Sequence, residues 1–221
     1  GGPALSERRS SAVCGVVIGG SLVVAGGSPE SPFSSAEAYS PATGWTPIPP
    51  MPHAANDAAA CVLNGRLFVA GGVLSDRLQM WDTKKWTLKA PMPAERYDAA
   101  SAVHEGKMMV IGGDVNHQPS TSVILYDPQT DTWADGPPLP SPRCGCRAVE
   151  HEGAIVLVGN GPTLRYEHGR WSEIATLTAS RRPRTFFGLR FPASSSTSTV
   201  SRSVPITVAC ARSGGARRGS R

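Results

Sequence analysis

Three groups of residues in this 221-residue chain could do chemistry. The first is Gly112-Gly113, which follows the apolar run KMMVI. A glycine pair after a strand can cradle a phosphate when it opens a helix. The second is the pair of dipeptides His104-Glu105 and His151-Glu152, each a potential acid–base couple or half of a metal site. The third is Cys144-Gly145-Cys146, the only close pair among Cys14, Cys61, Cys144, Cys146 and Cys210. C-x-C lacks the two-residue spacer of most zinc knuckles, and no second pair follows it. An odd cysteine count also argues against a disulfide-stapled module. The cysteines therefore read as small strand residues.

The surrounding pattern decides the glycines. SLVVAGG, RLFVAGG and KMMVIGG end at Gly27, Gly72 and Gly113, and a fourth copy, AIVLVGN, ends at Asn160. A turn glycine (Gly20, Gly65, Gly106, Gly153) stands six positions before the first residue of each pair. Trp45, Trp86, Trp133 and Trp171 follow, each preceded by an aromatic: Tyr39, Trp81, Tyr126 and Tyr166. From each of the first three tryptophans to the next turn glycine is 20 positions. The six-residue run spans about 20 Å as one strand. Asn64-Gly65 before it is a two-residue hairpin signal, since both positions tolerate positive φ. Glu105-Gly106 and Glu152-Gly153 occupy the same place, so their histidines read as turn neighbours rather than catalysts. Each copy predicts a four-stranded antiparallel meander of about 40 residues. Such a unit buries its faces only by stacking on its neighbours. A tryptophan at each seam would bury about 150–250 Å². A pair that recurs three times and feeds a loop and a strand, not a helix, is punctuation and not a phosphate site.

These spacings resemble the kelch-repeat family. The resemblance rests on Gly26-Gly27/Tyr39/Trp45, Gly71-Gly72/Trp81/Trp86 and Gly112-Gly113/Tyr126/Trp133. It is reinforced by Pro91-Met92-Pro93 with Arg96 and by Pro138-Leu139-Pro140 with Arg143. Pro50-Met51-Pro52 fits too, but Ala55 replaces the arginine. The fourth copy keeps Tyr166 and Trp171 with Gly159-Asn160. The resemblance implies an all-β fold, a kelch-type β-propeller, with blades at 7–50, 53–91, 96–138 and 143–176. Four blades is the bottom of the propeller range, so the ring reads as incomplete.

Composition agrees with strands and turns: 24 glycines and 20 prolines. Residues 1–176 hold 13 Lys and Arg against 17 Asp and Glu, a net of −4. Residues 177–221 hold nine Arg and no acid, a net of +9. The basic balance thus belongs to a Ser/Arg-rich tail expected to be disordered, in which Thr185 to Phe191 could form one strand. Arg181-Arg182-Pro183-Arg184 reads as an anion-binding or nuclear-import patch, or the tail as a misread exon. The body has no basic field, which argues against nucleic acid. No apolar run reaches the length of a membrane span. The chain opens on Gly1-Gly2 without methionine, and residues 1–6 read as a cut or disordered end.

Function should sit where lengths vary. From the first glycine of each pair to the aromatic is 13, 10, 14 and 7 positions. These 2–3 loops share one end of the meander with the 4–1 connections. The candidate partner-binding residues there are Asp57, Arg77, Arg96, Tyr97, Asp98, Asp114, Asn116, His117 and Arg143. Arg96 and Asp98 carry an alternative role as turn residues inside the blade. No catalytic, metal or cofactor residue is expected. The resemblance implies a protein-interaction module. In its sharpest form this is the substrate-binding propeller of a ubiquitin-ligase adaptor, cytoplasmic or nuclear, reaching a cullin-type ligase through a BTB or F-box domain upstream. The alternatives are a kelch-propeller oxidase or epimerase, and a cytoskeletal scaffold.

Overall fold

The computed structural model describes residues 5–18, 20–28 and 32–175. The tail, with its arginine patch and its expected strand, lies outside the described residues, as do residues 1–4 and the middle of the first 2–3 loop.

Local turn chemistry lays out the strands. Asn64 and Gly65 have φ of 52° and 69°, Glu105 and Gly106 49° and 73°, and Glu152 and Gly153 51° and 75°. Two successive left-handed residues make the tight hairpin turn whose twist matches that of the strands. The first sheet comprises β1 (Val13–Ile18), β2 (Ser21–Ala25), β3 (Ala36–Ser40) and β4 (Gly44–Ile48), and the second β5 (Ala59–Leu63), β6 (Arg66–Ala70), β7 (Leu78–Trp81) and β8 (Trp86–Lys89). The third holds β9 (Ala100–His104), β10 (Lys107–Ile111), β13 (Val123–Asp127) and β14 (Thr132–Gly136). A ribbon of β11 (Asp114–Val115) and β12 (Gln118–Pro119) rises from its 2–3 loop. The fourth comprises β15 (Arg147–His151), β16 (Ala154–Val158), β17 (Thr163–Glu167) and β18 (Arg170–Ala175). Each is an antiparallel meander. The first strands β1, β5, β9 and β15 stand side by side. Each sheet is thus a blade of a β-propeller with its first strand innermost, and the described residues are all-β.

Three hydrophobic seams hold the blades together. Val23, Ala25 and Ala36 of the first blade meet Leu67, Val69 and Trp81 of the second. Phe68, Leu78 and Met80 meet Met108, Val110 and Tyr126 of the third. Met109, Ile111 and Val123 meet Ile155, Leu157 and Tyr166 of the fourth. In the second, third and fourth blades the aromatic pair therefore faces the preceding blade. The tryptophans add a directed bond across the seam. Trp86 Nε1 donates to Pro49 O at 2.7 Å, Trp133 Nε1 to Ala90 O at 2.8 Å, and Trp171 Nε1 to Pro137 O at 2.9 Å. A half-buried indole needs that acceptor, which ties the repeated tryptophan to the end of the previous fourth strand. Among the described residues no such cluster joins the fourth blade to the first.

The middle seam has an acid-sensitive clamp. Asp131 Oδ1 accepts Tyr126 Oη–H at 2.6 Å and Ala90 N–H at 3.0 Å. Those bonds, the tyrosine's first, hold the Asp131 carboxyl below the usual range. A carboxyl depressed by folding stabilises the fold above its unfolded pKa, and the contribution is lost as pH falls through the folded value. Asp131→Asn is therefore expected to unfold more readily at neutral pH and to lose less of its remaining stability in acid than the wild type does. Urea midpoints at pH 7 and pH 3 test this; parallel pH dependence in the two proteins would refute it.

Candidate functional site

The second glycine of each pair is where the next blade crosses. Gly27 N–H donates to Ala55 O at 2.8 Å, Gly72 N–H to Arg96 O at 2.9 Å and Gly113 N–H to Arg143 O at 2.7 Å. The same connections donate back into the 2–3 loops: Ala55 N–H to Phe33 O, Arg96 N–H to Ser75 O and Arg143 N–H to Ser120 O, each at 3.1 Å. One end of the propeller is thereby stitched into a single surface of loops and connections. At its centre, left-handed residues link around the axis. Asp57 N–H donates to Ser11 O at 3.0 Å, Asp98 N–H to Asp57 O at 2.8 Å and Gly145 N–H to Asp98 O at 2.9 Å.

The candidate residues divide on this frame. Asp57, Tyr97, Asp98 and Asp114 are half-buried around the axis, while Arg77 is exposed and pairs with Asp76 at 3.7 Å. Tyr97 bridges to Asp114, and its ring lies 6.3 Å from that of His117. Asn116 and His117, with φ of 52° and 60°, form the exposed tip of the β11–β12 ribbon. Burial, then the neighbouring charge of Asp57, pushes the Asp98 carboxyl up, against the pull of Arg147. Burial, then Asp114, raises Tyr97.

Arg96 and Arg143 sit elsewhere than a recognition surface requires. They are 5% and 3% exposed. Arg96 donates Nη1–H to Gly112 O and to Ser122 O, and Nη2–H to Ser122 Oγ at 2.7 Å. Arg143 donates to Pro162 O at 2.5 Å. Both guanidiniums are spent on the 2–3 loop of their own blade, so neither is offered to a partner. Arg9 does the same in the first blade, reaching Gly26 O at 2.8 Å and Ser35 O at 2.9 Å, and it pairs with buried Glu37 at 3.1 Å. Burial alone would raise Glu37, but Ser6 N–H and Arg9 outweigh it and hold it low. Arg9 was legible: it stands 17 positions before Gly26, as Arg96 stands 16 before Gly112. In the second blade Ala55 occupies this place.

The other potential chemistry resolves by position. His104–Glu105 and His151–Glu152 contacts, at 3.7 and 3.8 Å, lie at the hairpin turns of the opposite end. A cavity of about 380 Å³ opens there between Val103, His104, Glu150 and Ile155. Burial, then the Asp114 charge, pushes the Cys144 thiol up to about 11, so it is protonated at neutral pH and a poor nucleophile or ligand. Cys146 is buried against Gly159, and Asn160 Nδ2 donates to Cys144 O at 2.9 Å. Among the described residues no three His, Cys, Asp or Glu side chains converge as a metal site, and no helix is long and apolar enough to cross a membrane.

Comparison with known proteins agrees with this architecture. Residues 9–52 and 95–140 match the family model described as the Kelch motif. The structure is similar to the one titled "Structure of YjhT", with a TM-score of 0.69 and 17% identity over 78% of this chain and 72% of that one. At that identity the likeness carries the fold alone. No curated protein matches the chain.

Proposed function

We propose that this chain, a kelch-repeat β-propeller, recognises a protein partner through the end that carries its 2–3 loops and 4–1 connections, without chemistry of its own. The observation that carries the reading is the two-way stitching of loops and connections. A rigid frame presents side chains of varied type from loops of varied length, which suits recognition. The surface side chains assigned to the partner are Asp57, Arg77, Tyr97, Asp98, Asp114, Asn116 and His117. The finer reading rests on family resemblance: a substrate receptor of a ubiquitin ligase, working in the cytoplasm or nucleus.

The test is affinity capture with the full chain, with proteins identified by mass spectrometry. His117→Ala with Arg77→Ala is expected to lose the captured partner, and His151→Ala at the opposite end to keep it. Loss with His151→Ala alone would move recognition to the other end. Cullin-complex subunits in the captured set would favour the ligase receptor, and filament proteins the scaffold.

A further inference from the structure

The 2–3 loop of the second blade shows leucine where a turn calls for glycine. Ser75 N–H donates to Gly72 O at 3.2 Å, closing a four-residue turn with Val73 and Leu74 at its centre. Leu74 alone of these two is left-handed, with φ of 57°. A left-handed third position in a four-residue turn is one that glycine or asparagine normally fills, because an L side chain is strained there. Leu74 is also 67% exposed, the most exposed large hydrophobic among the described residues, with Val73 beside it at 37%. Both features work against folding. A left-handed leucine that buries nothing motivates a role other than folding.

The tip is held out rather than free to collapse. Gly72 N–H donates to Arg96 O at 2.9 Å, Arg96 N–H to Ser75 O at 3.1 Å, and Val73 N–H to Asn56 O at 3.2 Å. The loop is thus pinned from both neighbouring connections, beside Asp57. Its other flank carries Asp76, whose side chain is 41% exposed and pairs with Arg77 at 3.7 Å, so the negative margin rests chiefly on Asp57 and Asp98. Asp98, bonded through its backbone to Asp57, continues the acidic margin. Rigid presentation lowers the entropy lost on docking, which favours an apolar anchor.

We propose that Leu74, with Val73, is the anchor of the partner interface, and that it enters an apolar pocket of a protein segment carrying basic residues around it. The inference rests on the reading that this end of the propeller recognises proteins. A displayed library of random 12-residue peptides, selected on the full chain, provides the probe. Selected peptides are expected to combine apolar side chains with Lys or Arg. Leu74→Gly is expected to weaken them about tenfold or more, as for an interface hot spot. The same variant should melt at the wild-type temperature or higher, because glycine removes the left-handed strain. Peptides that bind Leu74→Gly as tightly as wild type but lose to Asp114→Asn/His117→Ala would overturn the anchor and leave recognition at this end standing. Peptides indifferent to both variants would overturn both. Selected peptides without basic residues would overturn the charge assignment. Concentration-dependent self-association of the wild type that Leu74→Gly abolishes would replace the partner with a second copy of the chain.

Discussion

Gly112→Ala is expected to cost about 2–5 kcal/mol of stability. Two terms add. Gly112 has φ of 60°, where an L side chain loses about 1–2 kcal/mol. Its new Cβ would also lie 2.5 Å from the carbonyl oxygen of Arg143 and 3.2 Å from Leu139 Cδ1. The oxygen belongs to backbone that Gly113 N–H already holds at 2.7 Å, so it cannot step aside. Overpacking of this kind costs about 1–3 kcal/mol. Gly106 separates the terms. It has φ of 73°, and a Cβ there would meet nothing within 4 Å, so Gly106→Ala should lose only the conformational part, about 1–2 kcal/mol. Urea unfolding of both variants measures the difference. Equal losses would mean that the glycine pair serves the turn alone and that the crossing connection does not need its space.

That contrast also marks what a sequence can disclose. The hairpin glycines were legible because their demand is local: two left-handed residues between apolar strands need no distant neighbour. The aromatic and tryptophan positions were legible as seam residues because they recur at blade spacing. Which seam they join was not, since it depends on the Pro49, Ala90 and Pro137 carbonyls delivered by the preceding blade. Arg96 was placed at the right end of the molecule with two roles open, recognition or turn bonds inside the blade, and the structure takes the second; Arg143, placed there for recognition, is buried as well. Arginine in a turn ordinarily faces water, and only the folded loop shows carbonyls arranged to replace that water. The β11–β12 ribbon hid for a related reason: two-residue strands carry too little pattern to register, although Asn116-His117 had the composition of a turn tip. Leu74 left no signal, because a leucine at positive φ contradicts the rule by which turns are read.

The fate of Arg96 is the sharper test of where structure ends and recognition begins. Arg96→Ala is expected to destabilise the chain by about 2–4 kcal/mol while binding per folded molecule stays unchanged. The guanidinium donates to Gly112 O and Ser122 O and is 5% exposed. Removing it leaves Gly112 O without its donor inside the blade, at about 1–3 kcal/mol for a buried unsatisfied group, while Ser122 O keeps the Gly112 N–H at 3.0 Å. It also leaves the volume of a long side chain unfilled. Burial lowers the Arg96 pKa, but its starting point is so high that the group stays charged across the working range of the protein. The contribution should therefore be flat with pH, unlike that of Asp131. Arg96→Met restores most of the volume without the donors, and should recover part of the loss and no more. The second blade is the natural counterpart. Ala55 stands in the arginine's place there, and the loop is held by Gly71 N–H to Arg77 O at 2.8 Å, Ser75 N–H to Gly72 O at 3.2 Å and Arg77 N–H to Ser75 Oγ at 3.2 Å. That is the blade with the shorter 2–3 loop, ten positions from Gly71 to Trp81 against 14 from Gly112 to Tyr126. It is also the blade whose loop spends its own stability on an exposed leucine. Wild-type stability in Arg96→Ala, with partner binding lost, would place the guanidinium within reach of solvent and return it to the recognition surface. Lost stability with intact binding leaves the interface to the loop tips, where Leu74 stands.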